Sequence, residues 1–273
     1  MGSKSSSKQL PRFILFGDSL TEWSFDSSTQ GFGWYLTEWY KDKAEIVNEG
    51  YAGYTSEHVK SEFSRLVKQI TTAEAPPTLL FTIFLGANDA CFIGEREYVP
   101  LPQFSDNIRS FVEEILIQDK LTSAKIVLIT PPPINVPEPL PSDDESLGPA
   151  MAMALKGERD PKKDRGYRTW VSKRRYAEGI LSIAKEYEET GRVMGLDYWT
   201  ALVDAGLEEQ GRKGEVDEDR FPGCGLPGAK EFGKGWFTDG LHLDVKAYNV
   251  LSKVLTETVL QTWSELSPDR IGV

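Results

Sequence analysis

Two short stretches near opposite ends of the chain carry the residues able to do chemistry together. Gly17-Asp18-Ser19-Leu20 supplies a hydroxyl, and Asp239-Gly240-Leu241-His242 supplies a carboxylate three residues from an imidazole. A serine hydroxyl is a weak nucleophile at neutral pH and needs a base. His242 is the one of the two histidines placed to serve, and a histidine base needs an acceptor on its other ring nitrogen. Asp239 can fold back in a tight turn to provide it. Attack on a carbonyl builds an oxyanion, which needs fixed donors. The backbone N–H of Ser19, the N–H of Gly53 in Asn48-Glu-Gly-Tyr-Ala-Gly53, and the carboxamide of Asn88 in Gly86-Ala87-Asn88-Asp89 are the candidates. Taken singly, each has a plainer reading. Ser19 could cap a helix, Asn88 and Asp239 could close turns, and Gly53 could serve only its backbone. Asp18 and Asp89 read as supporting or turn residues. His58 reads as solvent-facing.

These residues matter only if the fold gathers them. The apolar runs Arg12–Phe16, Ala44–Asn48, Thr78–Leu85, Lys125–Thr130 and Arg192–Asp197 predict five strands. Helical spacing predicts helices over Gly33–Lys43, Glu57–Ile70, Phe104–Ile117, Arg168–Thr190 and Leu243–Leu266. Strands alternating with helices imply a parallel sheet covered on both faces, a three-layer α/β/α sandwich in the flavodoxin-like order 2-1-3-4-5. In such sheets ligands bind at the carboxyl ends of the strands. Three of the candidate stretches follow predicted strands and the fourth precedes the last helix, so all are expected at one edge. Residues 1–10 read as a flexible tail and 11–273 as one domain, with loop insertions near 136–165 and 206–236 that could line or cover the site. The apolar face at 243–262 could pack on the sheet or on a second copy, which leaves a homodimer open.

Composition excludes several classes. The 273 residues are 40% hydrophobic and 27% charged, those of an ordinary globular protein. Lys+Arg 31 against Asp+Glu 42 gives a net charge of −11, against a nucleic-acid or anionic-membrane partner. Two cysteines, Cys91 and Cys224, build no disulfide framework, and two histidines leave little for a metal site, so no metal and no cofactor are expected. Met1-Gly2 with Ser6 fits a myristoylation pattern only formally. The polar N-terminus and the lack of a long apolar run lead to the expectation of a cytoplasmic protein without stable membrane insertion. Gly31-Phe32-Gly33 lacks a third glycine, and Ser19 lies in Gly-x-Ser-x-Thr, which disfavours a nucleotide fingerprint and an α/β-hydrolase elbow. Trp23, Phe25, Phe32, Trp34 and Tyr35 could wall a pocket or fill the core.

The blocks around Ser19, Gly53, Asn88 and Asp239/His242, in that order, resemble the GDSL (SGNH) hydrolase family over about residues 12 to 262. Within it, Phe16-Gly-Asp-Ser19, Gly50-Tyr-Ala-Gly-Tyr-Thr55, Phe84-Leu-Gly-Ala-Asn-Asp-Ala90 and Thr130-Pro-Pro-Pro133 are most similar to isoamyl acetate-hydrolysing esterases. The resemblance implies a metal-free serine carboxylic ester hydrolase acting on a small-molecule, short-acyl ester. Ser19, His242 and Asp239 would be catalytic, with the oxyanion hole at Ser19, Gly53 and Asn88. The alternative on the same site is a thioesterase, a lysophospholipase or a deacetylase. A catalytically silent binding protein on this scaffold is the remaining alternative.

Overall fold

The computed structural model describes residues 9–91, 93–137 and 169–271. Five strands, β1 (Arg12–Gly17), β2 (Glu45–Gly50), β3 (Thr78–Phe84), β4 (Lys125–Ile129) and β5 (Val193–Leu196), form one sheet in the order β2-β1-β3-β4-β5. Every pairing is parallel. The α-helices among the described residues are α1 (Ser19–Glu22), α2 (Phe32–Trp39), α3 (Lys60–Ile70), α4 (Leu101–Leu116), α5 (Trp170–Glu186), α6 (Tyr198–Glu209) and α7 (Val245–Thr262).

Alternation along β1 sorts its side chains between two cores. Phe13 and Leu15 join Leu36 of α2, Tyr198 and Leu202 of α6, and Leu251 and Leu255 of α7. Ile14 and Phe16 join Phe63 of α3, Phe111 of α4 and Ile180 of α5. A strand buried on both faces must read as a continuous apolar run, which is why β1, β3 and β4 were visible in the sequence. The three-layer sandwich and the strand order are those expected. β1 lies between β2 and β3, so the order reverses at the carboxyl ends of β1 and β3, where open α/β sheets place their ligands.

Two expectations need correction. Helix α6 replaces what read as unassigned chain running into a loop. Its apolar positions Tyr198, Trp199, Leu202, Val203, Gly206 and Leu207 form one buried face, and Asp197 caps it by accepting from Thr200 N–H at 3.0 Å. Strand β5 therefore ends at Leu196, one residue short of the Asp197 that closes the predicted strand. The 206–236 segment is therefore the last turn of α6 followed by a strap docked on the body. Phe232 and Trp236 of the strap lie in the core, and Phe232 exchanges hydrogen bonds with Asn135 at 2.8 and 3.1 Å. The face of α7 packs on its own sheet. Residues 138–165 of the other insertion and 1–8 of the tail lie outside the described residues.

Candidate active site

Ser19 stands at the first turn of α1, directly after β1. The cap of that helix is Asp18, not Ser19: Asp18 Oδ1 accepts from Leu20 N–H at 2.9 Å. The serine hydroxyl is thereby left for other work. Tyr248 of α7 donates its hydroxyl to Leu20 O at 2.9 Å and pins α1 to the closing helix. Gly50, at the end of β2, lets α1 lie against it, since a Cβ there would stand 2.1 Å from Glu22 N.

His242 and Asp239 arrive on a turn before α7. Asp239 Oδ1 accepts from the N–H groups of Leu241 and His242, each at 2.9 Å. Its Oδ2 meets His242 Nδ1 at 2.7 Å. Asn135, just past β4, donates its N–H to Gly240 O at 2.8 Å and fixes the turn to the sheet. His242 Nε2 then lies 3.1 Å from Ser19 Oγ. With Nδ1 donating to the carboxylate, Nε2 presents its lone pair to the hydroxyl. Burial alone would raise the Asp239 pKa. Hydrogen bonds from the His242 ring and from the N–H groups of His242 and Leu241 outweigh that and hold it below the usual carboxylate range. The Trp23 ring centroid is 4.3 Å from that of His242, and Trp23 is 45% exposed at the site's lip. The aromatic stretch thus divides: Trp23 faces the site, while Phe32 is core.

The other two candidates lie on adjoining loops joined by a hydrogen bond from Asn88 to Tyr54. Tyr54 N–H bonds Tyr51 O at 3.1 Å, closing a turn that requires positive φ at its third residue, and Gly53 adopts +77°. A Cβ on Gly53 would meet nothing within 4 Å, so conformation rather than crowding calls for glycine. Tyr51 N–H reaches Gly17 O at 3.0 Å and Ala52 N–H reaches Glu22 Oε2 at 2.5 Å, tying the turn to the serine's elbow. Asn88, past β3, donates its carboxamide to Tyr54 O at 2.9 Å. Beneath it, Asp89 is fully buried. Burial raises its pKa to about 7 with a smaller push from Asp18, against the hydrogen bonds from Ser56.

Ser19, Gly53, Asn88, Asp239 and His242 are thus all brought to the carboxyl edge. His58 is exposed, Cys91 is buried and Cys224 is half-buried. No group of three or more His, Cys, Asp or Glu able to hold a metal ion occurs among the described residues. No helix among them is long and apolar enough to cross a membrane. The sequence reading missed Asn135, Ser56 and the cap at Asp18. Only the last had a local signal, an Asp placed two residues before an N–H in need of a partner.

A serine bonded to an imidazole that is bonded to a carboxylate, at the switch point of a doubly wound sheet, is the arrangement of acyl-transfer enzymes. The chain belongs to the GDSL-like lipase/acylhydrolase family, whose model matches residues 13–255, and it is a carboxylic ester hydrolase. It is 28% identical over 264 residues to a GDSL esterase/lipase of Arabidopsis thaliana, covering 96% of this chain and 89% of that protein. It is 36% identical over 126 residues to an isoamyl acetate-hydrolyzing esterase 1 homolog of Bos taurus, covering 45% of this chain and about half (49%) of that protein. Among solved structures, an acetylxylan esterase from Geobacillus stearothermophilus superposes with TM-score 0.57 at 16% identity, over 93% of this chain and 94% of that one. A lipase/acylhydrolase from Enterococcus faecalis gives 0.54 at 17%, over 92% and 95%. At these identities the two structures speak for the fold alone.

Proposed function

We propose that this chain hydrolyses esters of short acyl groups, acetate foremost, through an acyl-enzyme on Ser19. The observation that carries it is the row Ser19 Oγ, His242 Nε2, His242 Nδ1 and Asp239 Oδ2, with gaps of 3.1 and 2.7 Å. The name of several curated relatives, isoamyl acetate-hydrolyzing esterase, supports the acetyl group.

The steps follow from the geometry. Ser19 Oγ attacks the ester carbonyl carbon as His242 Nε2 takes its proton. Asp239, an anion held by three hydrogen bonds, steadies the resulting imidazolium. The carbonyl oxygen gains the electron pair and is met by the N–H groups of Ser19 and Gly53 and the Asn88 carboxamide. One such donor contributes about 3–4 kcal/mol in the transition state. The tetrahedral species collapses, and the alcohol leaves with the proton from Nε2. Water repeats the sequence, with His242 again as base, and frees the acid. The leaving alcohol must lie beside His242, so Trp23 forms its wall.

The test is hydrolysis of p-nitrophenyl esters from acetate to dodecanoate, with Ser19→Ala beside wild type. Turnover concentrated on the short esters, with the variant slower by at least about 10³-fold, supports the reading. A variant as active as wild type overturns the nucleophile, and a preference for dodecanoate overturns the substrate class.

A further inference from the structure

Asp89 has no part in the steps above, yet it is an expensive residue to keep. It is fully buried, and its Oδ2 finds no hydrogen-bond partner among the described residues. Taking a carboxyl out of water without full hydrogen bonding is unfavourable, and a fully buried one calls for a reason. Its place in the fold supplies one. Asp89 Oδ1 accepts from both Ser56 N–H, at 2.9 Å, and Ser56 Oγ–H, at 2.6 Å. The neighbouring Asn88 donates to Tyr54 O at 2.9 Å. Two adjacent residues of one turn therefore grip two alternate residues of the other. A single attachment would let the 51–56 loop pivot. Two attachments fix its translation and its rotation, and Gly53 is one residue beyond the grip.

The grip is itself braced. Asn107 of α4 donates its amide to Ser56 Oγ at 3.0 Å and to Glu57 Oε2 at 3.1 Å, and Gln103 donates to Asn107 Oδ1 at 2.9 Å. Ser56 and Asn107 are both buried, and Val99 N–H closes on Asp89 O at 3.2 Å. None of these hydrogen bonds involves Ser19 or His242; they join the loop bearing Gly53, the turn bearing Asn88 and helix α4.

We propose that Asp89 and Ser56 are positioning residues: a buried clamp that sets the spacing of the Gly53 and Asn88 donors and so the fit of the oxyanion hole. The inference rests on the esterase reading above. It predicts a loss confined to the transition state, because misplacing donors by a fraction of an ångström weakens their hold on a developing charge more than their hold on a neutral ester.

Three variants separate the clamp from a merely structural role. Ser56→Ala deletes the hydroxyl and leaves the N–H bond. Asp89→Ala removes the acceptor. Asp89→Asn keeps an oxygen acceptor of the same shape. Each is assayed with p-nitrophenyl acetate, and with a short trifluoromethyl ketone that forms an oxyanion on the attacking serine. Circular dichroism establishes that each is folded at the assay temperature. The clamp predicts that Ser56→Ala and Asp89→Ala lower kcat about 10- to 10²-fold and weaken the ketone in proportion, with KM within about 2-fold of wild type. Asp89→Asn recovers kcat to within about 3-fold. If Asp89→Ala does not fold, Ser56→Ala and Asp89→Asn still decide. A folded Ser56→Ala with wild-type kcat and only a lowered Tm overturns the clamp, as does a loss that falls on KM. Undiminished activity in Ser19→Ala would instead overturn the esterase reading, so the two failures are distinguishable.

Discussion

The two halves of the site are built in opposite ways. On the proton-transfer side, Asp239 holds His242 from three residues away in a surface turn, with the carboxylate side chain 54% exposed and the imidazole 20% exposed. On the oxyanion side, Asn88 is 6% exposed, Asp89 and Ser56 are fully buried, and their partners come from loops and helices more than 30 residues apart. The turn that carries the base is closed by Asp239 and anchored to the sheet by Asn135 N–H on Gly240 O. Donors aimed at a developing charge act best when nothing has to reorganise, and burial in a rigid network supplies that. On the proposed mechanism the two halves draw their precision differently, one from a turn closed by Asp239 and anchored by Asn135, the other from a buried network.

That contrast can be broken or sharpened by experiment. The largest effect is expected from Ser19→Ala and His242→Ala, each lowering kcat/KM with short esters by at least about 10³-fold, because each removes a group that forms or breaks bonds. Next comes Asn88→Ala, which should lower kcat about 10²–10³-fold with little loss of Tm. An unchanged kcat would take Asn88 out of the oxyanion hole and leave the buried half without a catalytic purpose. Gly53→Ala is expected to do less, about 10-fold in kcat. The positive φ of 77° costs an L-residue about 1–2 kcal/mol, while the added methyl meets nothing within 4 Å. A larger effect from this one methyl would mean that the hole has no slack even at its most exposed donor.

The smallest effects are in stability, and they have opposite signs on the two sides. Asp89 has a folded pKa of about 7 against 3.8, so the folded state favours its protonated form. Its stabilising contribution is complete below 3.8 and is lost as pH rises through about 7. Asp239 is shifted downward, so its contribution is complete above 3.8 and is lost as acid protonates it at lower pH. Thermal unfolding followed across pH should therefore show Asp89→Asn flattening the decline toward neutrality. Asp239→Asn should flatten the decline in acid. The same profile in both variants would contradict the contrast between a buried, neutral-prone carboxyl and an exposed, anionic one.

The legible and illegible parts of the molecule follow the same division. Strands buried on both faces write themselves as apolar runs, so β1, β3 and β4 and the strand order could be read from the sequence. Ser19, Gly53, Asn88, Asp239 and His242 each sit where a strand or turn ends, and their types matched a known set. Helix α6 is harder to read because Gly206 and the acidic residues Asp204, Glu208 and Glu209 give its second half the look of a loop, although Tyr198, Trp199, Leu202, Val203, Gly206 and Leu207 line one buried face. Asn135 and Ser56 could not be read at all. Asn135 serves Gly240 and Phe232, and Ser56 serves Asp89, across separations in sequence at which no spacing rule operates. Trp23 faces His242 while Phe32 fills the core, and residue type carries no record of that.

The central claim is that Ser19 is acylated. The direct measurement is mass spectrometry of the enzyme quenched in acid during turnover of p-nitrophenyl acetate, with the modified peptide sequenced. One acetyl group on Ser19 in wild type, absent from Ser19→Ala and from His242→Ala, is the predicted result. Rapid hydrolysis with the acetyl group on another residue, or persisting unchanged in Ser19→Ala, would contradict the account.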